Sequence, residues 1–252
     1  TMYRILEENQ QVKERRNQLR HPKHSKPQLV ATAPNQVWTW DITKLKTTQK
    51  WQYLYLYVII DLFSRFVVGW MVATKERETL AKQLIEETIK KYDIGPHSLT
   101  LHSDRGGPMI SKTVAQMLAD LNVDRSFSRP RVSNDNAYSE SQFKTMKYAP
   151  LFPGEFHSNE HAKDFSRTFF QWYNYEHHHE GIVWLTPANV HCGDAQEILD
   201  KRHDTKMKAF LKNPARFRNI EPKKEEMKDM VWINPPENFD NNGKGVEVIL
   251  RA

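Results

Sequence analysis

Hydrophobic and polar residues alternate at the start of the most apolar part of the chain. Segment 37–45 places tryptophan and isoleucine side chains on one face and threonine and aspartate side chains, including Asp41, on the other. This period of two predicts a strand with different surroundings on its two faces. Runs of aromatic and β-branched residues follow at 51–60 and 65–73, each after a short polar turn. Three such strands in succession predict an antiparallel meander.

Helical and strand patterns alternate after this meander. They predict helices near 78–91, 112–121, 134–148, 159–175 and 195–211, and strands near 98–102, 123–127, 231–236 and 246–250. Three strands followed by alternating helices and strands favour an α/β protein with a mixed sheet and helices packed against it.

The patterns divide the chain into four parts. Residues 1–20 form a predicted charged helix that begins in mid-pattern, so we interpret the chain as a fragment of a longer protein. Residues 21–36 are basic and contain prolines, which suits either a solvated linker or an arm that follows DNA. The core spans 37–192, and a helical and basic extension spans 193–252.

Composition narrows the class of protein. The net charge of +6 and pI of about 9.2 favour an anionic partner only weakly. Cys192 is the single cysteine, which excludes an intrachain disulfide and a Cys-rich zinc site and suits a reducing, cytoplasmic setting. The longest apolar run, 53–60, is far too short to span a membrane, and no signal peptide is visible.

Three acidic residues occupy positions that suit metal chemistry. Asp41 lies inside an apolar strand, Asp104 directly follows a strand, and Glu140 lies in the first turns of a helix that Ser133-Asn-Asp-Asn is predicted to cap. Burying an unpaired carboxylate is costly, and a divalent cation held by several carboxylates offsets that cost. The pattern therefore predicts metal-assisted phosphoryl transfer.

The helix that carries Glu140 permits two interpretations. Asn136, Glu140, Lys144 and Lys147 share one face by helical spacing. They could form an exposed charged face with a weak Glu–Lys pair. Alternatively, Glu140 binds a metal while the lysines contact DNA phosphates.

The chain resembles the integrase-core transposases of bacterial insertion sequences, the group related to retroviral integrases. The similarity follows the chain in order from about 33 to 190. The resembling motifs are Trp40-Asp-Ile-Thr, Ile60-Asp-Leu-Phe-Ser-Arg, His102-Ser-Asp-Arg-Gly, the segment 129–148, Trp172-Tyr-Asn-Tyr-Glu-His-His-His-Glu-Gly-Ile, and Leu185-Thr-Pro-Ala.

The resemblance implies a ribonuclease H-like fold and a catalytic, metal-binding triad. The fold would hold a mixed five-stranded sheet with helices on it. The triad carries over as Asp41, Asp104 and Glu140, binding two Mg²⁺ or Mn²⁺ ions. The implied reaction is cleavage of double-stranded DNA at mobile-element ends and joining of 3′-hydroxyls to target DNA. A homo-oligomer on DNA in the bacterial cytoplasm is implied as well, with residues 1–20 as the end of a helix-turn-helix region.

The expected DNA contacts surround the triad. They are Lys144, Lys147, Asn136, Arg105 and His179. Relatives often carry arginine near His178, so a phosphate contact there is not expected of this chain. Two other functions fit the same motifs: a nuclease that does not transfer strands, and a catalytically silent DNA-binding or assembly protein.

Other polar residues have structural interpretations. We expect Asp61, a rival metal ligand, to cap a turn and pair with Arg65. We expect His102 to be a hydrogen-bonded structural histidine. Histidines 177–179 cannot all face one ion from a regular helix, because neighbours diverge by about 100°. Gly106 and Gly107 predict a flexible active-site loop.

Overall fold

The computed structural model describes residues 2–9, 25–130 and 132–236. The strands are β1 (Leu29–Ala31), β2 (Val37–Lys46), β3 (Tyr53–Asp61), β4 (Val67–Ala73), β5 (Thr100–Ser103), β6 (Asp124–Phe127) and β7 (Val231–Ile233). The helices are α1 (Met2–Glu8), α2 (Glu78–Lys91), α3 (Lys112–Asp120), α4 (Ala137–Lys147), α5 (Asn159–Tyr175), α6 (Pro187–His191) and α7 (Ala195–Lys212). Three predictions lie wholly or partly outside the described residues. They are the strand at 246–250, the helix at 1–20 beyond residue 9, and the basic segment 21–36 before residue 25.

The central sheet is mixed and has five strands in the order β4-β3-β2-β5-β6. Strands β2, β3 and β4 pair antiparallel, whereas β5 pairs parallel with β2 and with β6. The predicted meander and the mixed α/β sheet are therefore confirmed. Among the described helices, none is both long and apolar enough to cross a membrane.

The two faces of the sheet have separate hydrophobic cores. Trp38, Trp40 and Tyr57 are buried on one face under α2 and α3. Val58 and Ile60 belong to the other face, under α4 and α5. Because successive strand residues point to opposite faces, the polar positions of β2 lie on the α4 side. The alternation seen in the sequence thus places Asp41 beneath α4.

A small second sheet lies beside this core. Leu29–Ala31 pairs antiparallel with Val231–Ile233, so the predicted linker contains a strand and meets the predicted C-terminal extension. The ribbon buries Ala31 and Ile233 in a cluster with Leu62. Segments on either side of the core therefore support it together.

The entry into α4 differs from the predicted cap. Residues 133–136 form a 3₁₀ turn, and Asn136 is the N-cap residue but makes no capping hydrogen bond with its side chain. The expectation of a side-chain cap was wrong. The physical reason is that the Asp135 carboxylate is directed back to Arg129, and the 3₁₀ turn uses its own backbone bonds.

Gly69 on β4 allows α2 to pack closely against the sheet. A Cβ at this position would lie 2.3 Å from Thr88 Oγ1, which donates a hydrogen bond to the Leu84 carbonyl. We expect Gly69→Ala to lower the free energy of unfolding by about 1–3 kcal/mol, through overpacking. Thr88→Ala in the same chain should restore much of that loss, as measured by urea unfolding.

The matched control for this prediction is Gly181→Ala, since nothing lies within 4 Å of a Cβ there. Equal stability of Gly69→Ala and the wild type would show that the close approach is not needed.

Candidate active site

Two of the three acidic residues meet through strand register. In the parallel β2–β5 pair, Trp40 lies opposite Ser103, so the next residues are Asp41 and Asp104. Strand β5 ends at Ser103, which leaves Asp104 at the carboxyl end of the strand, where α/β proteins commonly bind ligands. Sheet topology alone therefore brings these two carboxylates to one place.

Gly106, two residues after Asp104, lets the backbone approach the Asp104 carboxylate closely. The Gly106 N–H donates a hydrogen bond of 2.9 Å to Asp104 Oδ1. A Cβ on Gly106 would lie 2.7 Å from Met109 Sδ and 3.1 Å from the same carboxylate oxygen. The turn thus orients Asp104 through a backbone approach that a larger residue would obstruct.

Helix α4 places Glu140 above Asp41 by contacts to β2. Ser139 Oγ donates to Thr39 Oγ1 at 3.2 Å, and Lys147 Nζ donates to Thr43 Oγ1 at 2.7 Å. The helix is therefore fixed along β2 at two points on either side of Asp41. Glu140 follows Ser139 directly and is directed to the same opening.

Asp41, Asp104 and Glu140 line one open cavity of about 530 Å³. Arg105, Arg129 and Asn136 are among the other residues of its wall. Within the described parts of the chain, no three His, Cys, Asp or Glu side chains stand close enough to hold a metal ion as they are arranged. The three carboxylates therefore share a cavity without converging on a single point.

Burial and neighbouring carboxylates both disfavour the ionised form of Asp41. Burial raises the pKa of Asp41 to about 7, with further contributions from the neighbouring charges of Asp104 and Glu140. The Ile42 N–H, which donates to Asp41 Oδ1 at 2.7 Å, and the Lys147 ammonium act in the opposite direction but do not compensate. Additional positive charge in the cavity would stabilise the ionised carboxylates.

Asn136 contributes a side-chain amide oxygen to the wall of the cavity. Its side chain is only 4% exposed, and its Oδ1 has no hydrogen-bond partner among the described residues. A buried polar atom without a partner is costly in a folded protein. The amide oxygen is thus available to a ligand of the cavity.

Asp135 connects the elements around the site. Its carboxylate accepts two hydrogen bonds of 3.0 Å from the Arg129 guanidinium and one of 2.7 Å from Asn234 Nδ2. Its carbonyl accepts from His102 Nε2 at 2.8 Å. Asp135 therefore links β5, the segment before α4, and the residue that follows β7.

Hydrogen bonding controls the ionisation of Asp135. Burial alone would raise its pKa, but bonds from Arg129 and Asn234 outweigh that effect and hold the pKa at about 2. The carboxylate is therefore ionised throughout the ordinary pH range.

His102 is the hydrogen-bonded structural histidine that was expected. It is fully buried, and because a carbonyl only accepts, Nε2 carries the proton given to Asp135. Nδ1 lies 3.0 Å from Ser126 Oγ. Burial lowers the pKa of His102, so the ring is neutral at neutral pH.

The other residues predicted to contact DNA lie on different elements of the fold. Lys144 and Lys147 are exposed on α4. Arg105 lines the cavity, and its Nε donates to the Ser128 carbonyl. His179 lies on the turn after α5, where burial lowers its pKa to about 4, so it carries no charge at neutral pH.

The three consecutive histidines have partners of their own. His177 stacks on Tyr173, His178 Nδ1 lies 2.9 Å from the Trp184 carbonyl, and His179 Nε2 lies 3.3 Å from the Tyr173 hydroxyl. The His179 N–H also donates to the Leu185 carbonyl. These residues order the turn between α5 and α6.

Asp61 is a buried turn cap. Its carboxylate accepts hydrogen bonds from Ser64 N, Ser64 Oγ and Asn35 N, which confirms the predicted cap. The predicted pairing with Arg65 was wrong, because that guanidinium lies 3.9 Å from the centre of the Tyr138 ring. His191 Nδ1 lies 3.0 Å from Ser64 Oγ, a contact that sequence reasoning missed.

The fold and the acidic cavity define a ribonuclease H-like core. A structural neighbour of the same class is the simian T-cell lymphotropic virus intasome, with a TM-score of 0.53 and 18% identity over 70% of this chain and 60% of that one. Two sequence profiles, each described as an integrase core domain, match residues 31–133 and 121–187. The two matches together cover more than half of the chain, which therefore belongs to the integrase core domain family.

Transposases of two insertion sequences are similar to this chain in sequence. The transposase for insertion sequence element IS904 of Lactococcus lactis subsp. lactis is 31% identical over 66% of this chain and 66% of the relative. The transposase InsF for insertion sequence IS3A of Escherichia coli is 35% identical over 52% of this chain and 44% of the relative. The chain thus spans between about half and two thirds of the length of these proteins.

The Asp135 network generates a prediction about acid stability. We expect Asp135→Asn to lower the free energy of unfolding by roughly 1–3 kcal/mol at pH 7, because Arg129 loses a charged acceptor. A depressed pKa stabilises the fold above the ordinary value near 3.8 and ceases to do so as pH falls through about 2. The difference between wild type and variant, measured by urea unfolding, should therefore shrink between these two pH values.

The control for this prediction is Asp120→Asn, at an exposed carboxylate at the end of α3. It should change stability little at either pH. A difference for Asp135→Asn that is independent of pH would contradict an ionic origin.

Proposed function

We propose that this chain is the catalytic core of a DDE transposase that cuts DNA at mobile-element ends and joins 3′-hydroxyls to target DNA. The observation that carries the proposal is the single cavity that Asp41, Asp104 and Glu140 line together. Membership of the integrase core family supports it. The proposed substrate is double-stranded DNA in the bacterial cytoplasm.

The donor set fits a hard divalent cation. Asp41, Asp104 and Glu140 offer only carboxylate oxygens, which Mg²⁺ and Mn²⁺ prefer. The raised pKa of Asp41 supports the same assignment, because burial first and the charges of Asp104 and Glu140 second disfavour the ionised carboxylate, and a bound cation would offset both effects. Two bound ions would supply activation of a water or 3′-hydroxyl and stabilisation of the leaving oxygen.

The chain's own residues position the DNA. Lys144 and Lys147 follow Glu140 on one face of α4, and at neutral pH their ammonium groups suit contacts to phosphates that flank the scissile bond. The Asn136 amide, buried in the wall, suits a hydrogen bond that orients the strand. Arg105 contributes a further cation at the rim, whereas neutral His179 offers hydrogen bonding alone.

Removing one carboxylate tests the chemistry. We expect Asp104→Asn to lower Mn²⁺- or Mg²⁺-dependent nicking and joining of plasmid and oligonucleotide DNA by a factor on the order of a thousand, since several kcal/mol of transition-state stabilisation are lost. DNA binding should persist, because the variant removes a negative charge. Joined products, as opposed to hydrolysed strands alone, distinguish a transposase from a nuclease on the same fold.

Asp120→Asn is the matched control and should retain activity. Joining by Asp104→Asn at the wild-type rate would refute the triad. Activity in neither protein, with DNA binding intact, would favour the catalytically silent DNA-binding protein.

A second test concerns the lysines of α4. We expect Lys144→Ala to weaken DNA binding about equally for all sequences and to reduce the slope of log K against log salt by about 1. Fluorescence anisotropy with labelled duplex DNA at several salt concentrations would measure both. Lys163→Ala, at an exposed lysine on α5, is the control. An unchanged salt slope for Lys144→Ala would contradict a phosphate contact.

A further inference from the structure

The hairpin between β2 and β3 carries an exposed tryptophan in an unfavourable backbone conformation. Trp51 has a φ of +68° and is 83% exposed. Hairpin loops of this kind favour glycine or asparagine at a left-handed position, because a side chain raises its energy. Neither burial nor backbone preference accounts for tryptophan here. A strained and exposed aromatic residue is grounds for a functional hypothesis.

The turn that presents Trp51 is held in place on both sides. Thr47 Oγ1 donates to the carbonyl of Gln52 at 3.0 Å, which closes the base of the turn. The Thr48 N–H donates to the Phe156 carbonyl at 3.1 Å, which ties the turn to the segment after α4. The aromatic ring therefore extends from an ordered support.

The surroundings of Trp51 carry more positive than negative charge. Segments 42–60 and 141–155 contain five lysines and one acidic residue, Glu155, which pairs with Lys46. The two segments are joined by the hydrogen bond from Lys147 to Thr43. Lys50 Nζ lies 5.9 Å from the centre of the Trp51 ring. Aromatic rings among lysines suit nucleic acid, whereas lysine is depleted in protein–protein interfaces.

The length of β2 gives the distance between the cavity and the tip of the hairpin, where Trp51 lies. Strand β2 continues from Asp41 to Lys46 before the turn begins. At about 3.3 Å per residue this places the tip roughly 20 Å from the cavity. The exposed Lys147, which donates to Thr43, lies between the cavity and the tip of the hairpin. Since duplex DNA rises about 3.4 Å per base pair, the separation corresponds to about six base pairs.

We propose that Trp51, with Lys50 beside it, is a second DNA contact that stacks on a base or deoxyribose about six base pairs from the phosphate in the acidic cavity. The inference rests on the proposed function, because that function places the scissile phosphate. It adds a binding site whose contribution is separate from the chemistry.

The test compares Trp51→Ala, Trp51→Phe and Trp51→Gly with the wild type. Anisotropy of labelled, hairpin-capped duplexes, measured without divalent metal, reports binding alone. On a duplex of about 20 base pairs we expect Trp51→Ala to bind on the order of ten-fold more weakly, and Trp51→Phe to retain most of the affinity. On a duplex of about three base pairs, half the separation of the two sites, the difference should become much smaller.

Stability distinguishes a binding role from a structural one. Trp51→Gly relieves the backbone strain, so its midpoint of thermal unfolding should equal or exceed that of the wild type while its affinity for long DNA falls. A structural role would instead lower stability and affinity together and would overturn the proposal. Leu211→Ala, at an apolar side chain that is 71% exposed, is the control for the loss of a large surface residue.

Two further outcomes would overturn the inference. Trp51→Ala could bind long DNA as the wild type does, or it could change only the oligomeric state in light scattering, which would assign the tip to a protein interface. The proposed function is judged separately through Asp104→Asn. That variant should lose joining while its binding keeps the same dependence on Trp51, so failure of one hypothesis does not imply failure of the other.

Discussion

The burial of Asp41 beside two other carboxylates is the constraint on which the arrangement of the candidate site depends. Asp41 is held beside Asp104 by parallel strand register, and Glu140 is brought to the same cavity by α4. Without a cation, these groups destabilise one another. The fold must therefore fix them from outside the cavity, and it does so with hydrogen bonds from α4 to Thr39 and Thr43 on β2.

Asp135 extends this support beyond the central five-stranded sheet. Its carboxylate binds Arg129 on the wall of the cavity and Asn234 after β7, and its carbonyl binds His102 on β5. Asn234 also donates to the Pro27 carbonyl, just before β1. Pro27 lies in the predicted linker and Asn234 in the predicted C-terminal extension. Through Asp135, both segments are connected to the start of α4. The positions of Asn136 and Glu140 depend on residues far away in the chain.

Local periodicity predicts most of the fold, and long-range pairing explains what it misses. Alternation in β2 correctly predicts a strand with Asp41 on its polar face, and the apolar spacing of α2 and α5 gives helix bounds that agree with the structure. The strand predicted near 231–236 is confirmed as β7, but β1 has only three residues and no pattern that predicts it. The buried contact between Ser64 and His191 joins residues 127 positions apart, and no local signal reports it. For the site, the three carboxylates follow from sequence, but the role of Asp135 as a link between elements does not.

The distribution of charge around the cavity also implies an order of events. A DNA phosphate approaching three carboxylates meets repulsion, although lysines on α4 and the β2–β3 hairpin attract the backbone on either side. Under the proposed function, a cation held by these carboxylates would reduce that repulsion for the scissile phosphate. The net charge of +6 therefore combines a basic surface with an acidic cavity. Under the proposed function, the basic surface would bind DNA without metal and the acidic cavity would receive a phosphate only with metal, so binding and chemistry would be separable.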